Sequence, residues 1–323
     1  MSSAFAQFLA RRWFLLALIA GCLLAALWPA GLDWTRYTPP RWVIPFTLFL
    51  TAVTMESRRL LDSLRSPWAA VAAVALGYSV PPLLGWAFGV ILIDDYRFGL
   101  LVCSAAPCTL ASAVIWTRLA GGDDATTLLA TFISTGSSWL LTTGWLALTT
   151  GHDIALGYAA MMRDLALILL LPVAFGQAVR ALPALARFAT RRKAILSVLA
   201  RFLVLLILFR ALHDLARYLY DSPGSIETAA LLSVFAACLT THLLSLAAGW
   251  QCSRRLGFGR TAGIAVAFAA SQKSLPVSLV LLELVFPNRP LAVVPLLVYH
   301  AGQLTVDTII AERWIAAKRE QSG

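Results

Sequence analysis

Apolar runs long enough to cross a hydrocarbon core recur along the whole chain, separated by short polar turns rich in arginine. One helical crossing needs about 20 mostly apolar residues. On that measure the pattern predicts ten helical spans, near residues 13–31, 42–56, 67–92, 98–117, 125–150, 162–181, 196–211, 226–250, 261–286 and 290–310. Two of these runs are interrupted in the middle. The fourth carries Pro107 in Ala105-Ala106-Pro107-Cys108-Thr109, and the ninth carries Pro276 after Ser271-Gln272-Lys273-Ser274-Leu275. Proline has no N–H to donate, and its ring clashes with the preceding turn. The backbone groups it frees must face protein or a water-filled cavity, because hydrocarbon offers them no partner. Ten spans divide into two fives, and an odd number per half inserts the second half upside down. Residues 10–150 and 160–312 therefore read as inverted repeats, with interruptions at matching positions that point to a central binding site. Two unrelated proline kinks are the plainer alternative.

Composition places the chain in lipid. Hydrophobic residues make up 59% and charged ones 13%, against about 25% charged in a soluble domain. Mean hydropathy is +0.78. A soluble fold of this length could not hide so much apolar surface. One membrane domain over residues 1–323 is expected, with the lipid bilayer as its surroundings. The net charge of +10 then reflects loop arginines rather than nucleic-acid binding. Of the 26 Lys and Arg, 18 fall in one set of loops, 7 in the other, and Lys273 inside a span. Positive charge stays on the inner side, so both termini are expected in the cytoplasm and the protein in the cell membrane, the inner membrane if the source is bacterial. Arg11-Arg12 before an apolar run imitates a secretory signal, but the many later spans make it the flank of a first transmembrane helix. Five cysteines show no metal spacing and read as small buried apolar residues. No G-x-S-x-G, H-E-x-x-H or Walker A sequence occurs, so neither an enzyme nor an ATP-driven pump is expected.

Hydroxyls gather around the polar turn Arg118-Leu119-Ala120-Gly121-Gly122-Asp123-Asp124. Thr109, Ser112 and Thr117 precede it. Thr127, Thr131 and Ser134 follow on one helical face. Their oxygens suit a hard cation or the polar groups of an organic anion. Packing of helices through small residues explains them equally well. Lys273 is the sharper signal. A lysine inside a span costs a few kcal/mol on insertion scales, and roughly a dozen span residues on each side make snorkelling awkward. It stands among Ser271, Gln272 and Ser274, beside a proline. In the last span His300, Gln303 and Asp307 form a stripe that should face the bundle. Gln177, His242, Glu283 and Tyr299 are further polar positions, each with a structural explanation.

Three stretches together resemble a known family. APCTLASAVIWTRLAGGDDATTLLATFIST, SQKSLPVSLVLLELVF and VPLLVYHAGQLTVDTIIAERW are similar to the fourth and fifth helices, the ninth-helix crossover and the last helix of the bile acid:sodium symporter superfamily. They are closest to the SBF-like subgroup around solute carrier family 10 member 7 and its bacterial relatives. The motifs lie mainly in residues 105–138 and 268–313. The resemblance implies an all-α membrane fold of two inverted five-helix repeats. Helices 1, 2, 6 and 7 would form a panel, helices 3–5 and 8–10 a core, and helices 4 and 9 would be broken and crossing. It also implies sodium sites, which carry over unevenly. Thr127 and Thr131 occupy the family's fifth-helix hydroxyl positions, and Gln272 and Ser274 are retained. The asparagine after the fourth-helix crossover is Ala113 here, the shared acidic ligand is Phe268, and the ninth-helix asparagine is Lys273. Thr127, Thr131 and Gln272 are left as a weak candidate sodium site.

These observations lead to a secondary transporter of a small organic anion, as monomer or homodimer, without a cofactor. Sodium and a proton both stay open as coupling ion. A membrane sensor or regulatory protein on a transporter fold is the alternative, and an intramembrane enzyme or channel a third. Candidate substrate or ion contacts are Thr109, Ser112, Thr127, Thr131, Ser134, Ser271, Gln272, Lys273, Ser274, His300 and Gln303.

Overall fold

The computed structural model describes residues 2–55, 64, 67–110, 112–150, 157–222, 227–287 and 289–320. Among the described residues every regular element is a helix. Helix α1 (Ser2–Leu27) gives way to a 3₁₀ segment (Pro29–Tyr37), followed by α2 (Pro40–Thr54), α3 (Trp68–Gly89), α4 (Asp94–Ala105), α5 (Ser112–Leu119) and α6 (Asp124–Thr150). Next come α7 (Tyr158–Leu165), a π-helical stretch (Ala166–Leu170), α8 (Leu171–Ala181), the short α9 (Pro183–Arg191) and α10 (Lys193–Asp221). The chain closes with α11 (Thr228–Arg255), α12 (Arg260–Ser271), α13 (Leu275–Val285), a 3₁₀ turn (Pro290–Ala292) and α14 (Val293–Glu320).

Six described helical segments are long and apolar enough to cross a membrane: Trp68–Gly89, Tyr158–Ala181, Lys193–Asp221, Thr228–Arg255, Arg260–Val285 and Pro290–Ala317. A seventh counts if Leu16–Leu27 and Pro29–Tyr37, bent by 112°, form one span. The other expected spans fall short for physical reasons. α2 has only 15 residues. The fourth span is divided into α4 and α5. α6 has 27 residues, but threonines and serines line it.

Two expected boundaries move. The run expected to start near residue 13 is helical from Ser2, and it stops at Leu27, ahead of Trp28 and Pro29. The seventh span, expected at 196–211, extends to Asp221. Its last turns carry Arg210, His213 and Arg217, which end an apolar window but not a helix. They find partners on the 3₁₀ segment and its C-cap: Arg210 donates to the Thr38 carbonyl (2.6 Å), and Arg217 pairs with Asp33 (2.9 Å). Arg58, Arg59 and Arg65, counted with the inner loops, lie outside the described residues.

The helices pack as two groups. α2 lies against α8 and α10, and α10 also covers α1 and the first 3₁₀ segment. Gln177 and Arg180 of α8 donate to the Ala52 and Val53 carbonyls (2.7 Å each) in the last turn of α2, where helical i+4 donors run out. In the other group α3 packs on α4, α6, α11 and α12, while α14 packs on α4 and α11. Close approach of α11 and α12 depends on Gly249, where a Cβ would stand 2.8 Å from the Ala267 Cα. The Arg260–Val285 segment is enclosed by protein. Of its most apolar stretch 94% is buried, against 33–39% in the other five spans. Its interruption is therefore shielded from lipid, as bare backbone requires.

Candidate functional site

Prolines and chain breaks release backbone groups at the centre of this second group, and polar side chains take them up. In α3 the pair Pro81-Pro82 leaves Gly77 and Tyr78, four residues earlier, without helical donors for their carbonyls. The Tyr78 carbonyl accepts from Trp145 Nε1, and the Gly77 carbonyl accepts from Lys273 Nζ at 2.6 Å. Helix α4 ends at Ala105, so the next carbonyls are free as well. Thr142 Oγ1 donates to Ala105 O (2.8 Å), Lys273 Nζ to Ala106 O (2.9 Å), and the Ser274 N–H to Pro107 O (3.0 Å). The last of these bonds joins the two interruptions directly.

Lys273 is 3% exposed. Its ammonium has three N–H donors. Two reach the carbonyls of Gly77 and Ala106, and the charge stands 5.4 Å from the centroid of the Tyr78 ring, within cation–π range. No carboxylate among the described residues pairs with it. The unwound backbone of Lys273 is held separately. Its N–H donates to Gln303 Oε1 (2.9 Å), and its carbonyl accepts from Gln303 Nε2 (3.1 Å). One side-chain amide thus completes the bonding that a helix would have supplied. His300 Nδ1 lies 3.0 Å from the same Gln303 nitrogen.

A second network starts at Gln272, which is fully buried. Its Nε2 donates to Asp307 Oδ2 (2.6 Å), and its Oε1 accepts from Ser112 Oγ (2.8 Å). Thr109 Oγ1 lies 3.1 Å from that serine oxygen. Asp307 Oδ1 is 2.9 Å from His242 Nε2, and the other imidazole nitrogen faces the Ser271 carbonyl at 3.3 Å. Tyr299 donates to the same carbonyl at 3.0 Å. The sequence pattern therefore selects residues that the fold assembles: Thr109, Ser112, Ser271, Gln272, Lys273, Ser274, His300 and Gln303 all lie at or beside the two breaks. It passes over Asp307 and His242 as essential members, because each has an ordinary explanation when viewed alone. It also misses Gly77, Tyr78 and Trp145. The Pro81-Pro82 pair was the signal for the two carbonyls.

The hydroxyl face of α6 splits. Ser134 joins the break, since its Oγ accepts from the Cys108 N–H (2.9 Å) and its carbonyl from the Tyr78 hydroxyl (2.8 Å). Thr127 instead lies 2.9 Å from Thr117 Oγ1, and Thr131 donates to Leu128 O one turn back (2.8 Å). Neither hydrogen-bonds Gln272 among the described contacts. Phe268, at the position of the acidic ligand in the resembled family, is fully buried and packs edge-on against Trp314 (5.4 Å), which in turn meets Trp250 (5.1 Å).

Comparison with known proteins adds the family. Residues 12–316 match the SBF-like CPA transporter family. An uncharacterized protein of Pseudomonas aeruginosa is 25% identical over 322 residues, covering 96% of this chain and 94% of its own length. A probable sodium/metabolite cotransporter, BASS4, chloroplastic, from Oryza sativa subsp. indica is 27% identical, covering 93% of this chain and 74% of that protein. The sodium/bile acid cotransporter 7 of Danio rerio is 23% identical over 231 residues, 69% of this chain and 67% of that one.

Proposed function

The chain belongs to the SBF-like CPA transporter family, and on that premise we propose that it is a secondary transporter of a small organic anion that works by alternating access. It is a multi-pass membrane transporter for a small solute, not an enzyme. The observation that carries the finer reading is the bond between the two interrupted segments, Ser274 N–H to Pro107 O, with the Lys273 ammonium beside it. Unwound backbone and a fixed positive charge inside a protein-lined centre are what an anion site in a membrane needs. Relatives named for sodium/bile acid and sodium/metabolite cotransport support an organic anion as substrate.

The two packing groups support a division into a panel (α1, α2, α7–α8 and α10) and a core (α3–α6 and α11–α14), built from inverted repeats over residues 10–150 and 160–312. The panel reaches the core through α6, which packs on α7 and the π-helical stretch, and through α13 and the turn before α14. There Arg210 of α10 stands 3.6 Å from Glu283 of α13. Alternating access requires such contacts to open and close while the crossed breaks stay together. The proposal places the protein in the cell membrane with both termini cytoplasmic, as monomer or homodimer. Sodium coupling does not carry over from the relatives, given Phe268 and Lys273.

Liposome reconstitution tests this reading. Purified protein should exchange a radiolabelled organic anion, from a set that includes bile acids and small carboxylates, against the same unlabelled anion inside. The exchange should saturate and disappear in protein-free liposomes. Reconstituted, correctly folded protein that exchanges none of them would overturn the proposal.

A further inference from the structure

We propose that the Lys273 ammonium stands in for a coupling cation, so that the core holds a fixed positive charge at the two breaks and binds its anion without sodium. This deepens the transporter reading above and rests on it for the word anion. The ammonium is held by the ligand types that hold an alkali ion: two backbone carbonyls and an aromatic face. The carbonyls come from different elements, Gly77 in α3 and Ala106 at the fourth-helix break. Each lacks a helical donor, one because of Pro81 and one because α4 has ended. Such a pair of oxygens demands a donor or a cation.

The same segment places no carboxylate beside the ammonium: position 268, five residues earlier, is a fully buried phenylalanine packed edge-on against Trp314. The nearest acidic group of the network, Asp307, is already engaged on both oxygens by His242 and Gln272. A tethered ammonium also differs from an ion in one consequence. It cannot leave with the substrate, so no sodium gradient is spent. Transport then follows the anion's own gradient, as uniport or exchange.

The test uses sodium itself as probe on purified full-length protein. Wild type should show the same thermal midpoint in sodium chloride and in choline chloride of equal ionic strength, and no saturable binding of radioactive sodium. Lys273→Ala should lower the midpoint by roughly 5 °C and recover with methylammonium, which can refill the vacated place, but not with choline, which is too large. Phe268→Glu with Lys273→Asn should gain a sodium-specific rise. Saturable sodium binding by wild type would overturn the proposal, and that measurement needs no variant to fold. So would a Lys273→Ala protein as stable as wild type and indifferent to methylammonium. Sodium indifference together with failure of every anion to exchange would leave the ammonium assignment in place and remove the anion-transport reading instead.

Discussion

The Trp145 indole donates to the Tyr78 carbonyl, the acceptor that Pro82 strips of its helical partner. The bond ties α6 to α3 beside the lysine and repairs a defect written into α3 by its own sequence. Trp145→Phe keeps most of the ring volume and leaves the carbonyl bare. It should destabilise the protein by about 1–3 kcal/mol, the cost of an unsatisfied buried acceptor. Pro82→Ala returns an N–H at the right position. In the Trp145→Phe background it should recover part of the loss, giving a coupling energy in a double-mutant cycle of thermal unfolding. Independent, additive losses would show that the indole acts by packing alone.

His242 and Asp307 form a pair that is 1% and 0% exposed. Removing one member of a buried pair strands the other. His242→Phe should therefore cost about 3–5 kcal/mol, read as a lower unfolding midpoint in detergent. Replacing both, as His242→Phe with Asp307→Leu, removes the stranded carboxylate, although Gln272 then loses its acceptor. The double variant should be more stable than His242→Phe alone. A double variant less stable than the single would show that Asp307 serves Gln272 more than it serves His242.

Orientation can be checked without any substrate. From the 18-to-7 bias of loop Lys and Arg the inner face is expected on the side of α9 and of both chain ends. Reporter fusions after Gly323 and within 183–193 should both report cytoplasm. An external C-terminus would reverse the reading of the inverted repeats along with it.

Helix positions were legible in the sequence because apolar length is a local property, and lipid rewards it locally. The two interruptions were legible for the same kind of reason. Proline acts on its own turn, so Pro107 and Pro276 announce freed backbone wherever the chain folds. The charge at Lys273 was conspicuous because a span has so few polar positions to compare it with. What the sequence could not decide is who answers each freed group. Gly77 and Lys273 are 196 residues apart, and Gln272 and Asp307 are 35 apart, and no periodicity links them. The helical face of Thr127, Thr131 and Ser134 is continuous in sequence, yet only Ser134 is bonded at the break. Hydrogen bonds have a reach of about 3 Å, so one turn along a helix is enough to change partners. Tertiary packing alone brought α3, the two breaks and α14 within that reach, and so decided which of the polar residues meet.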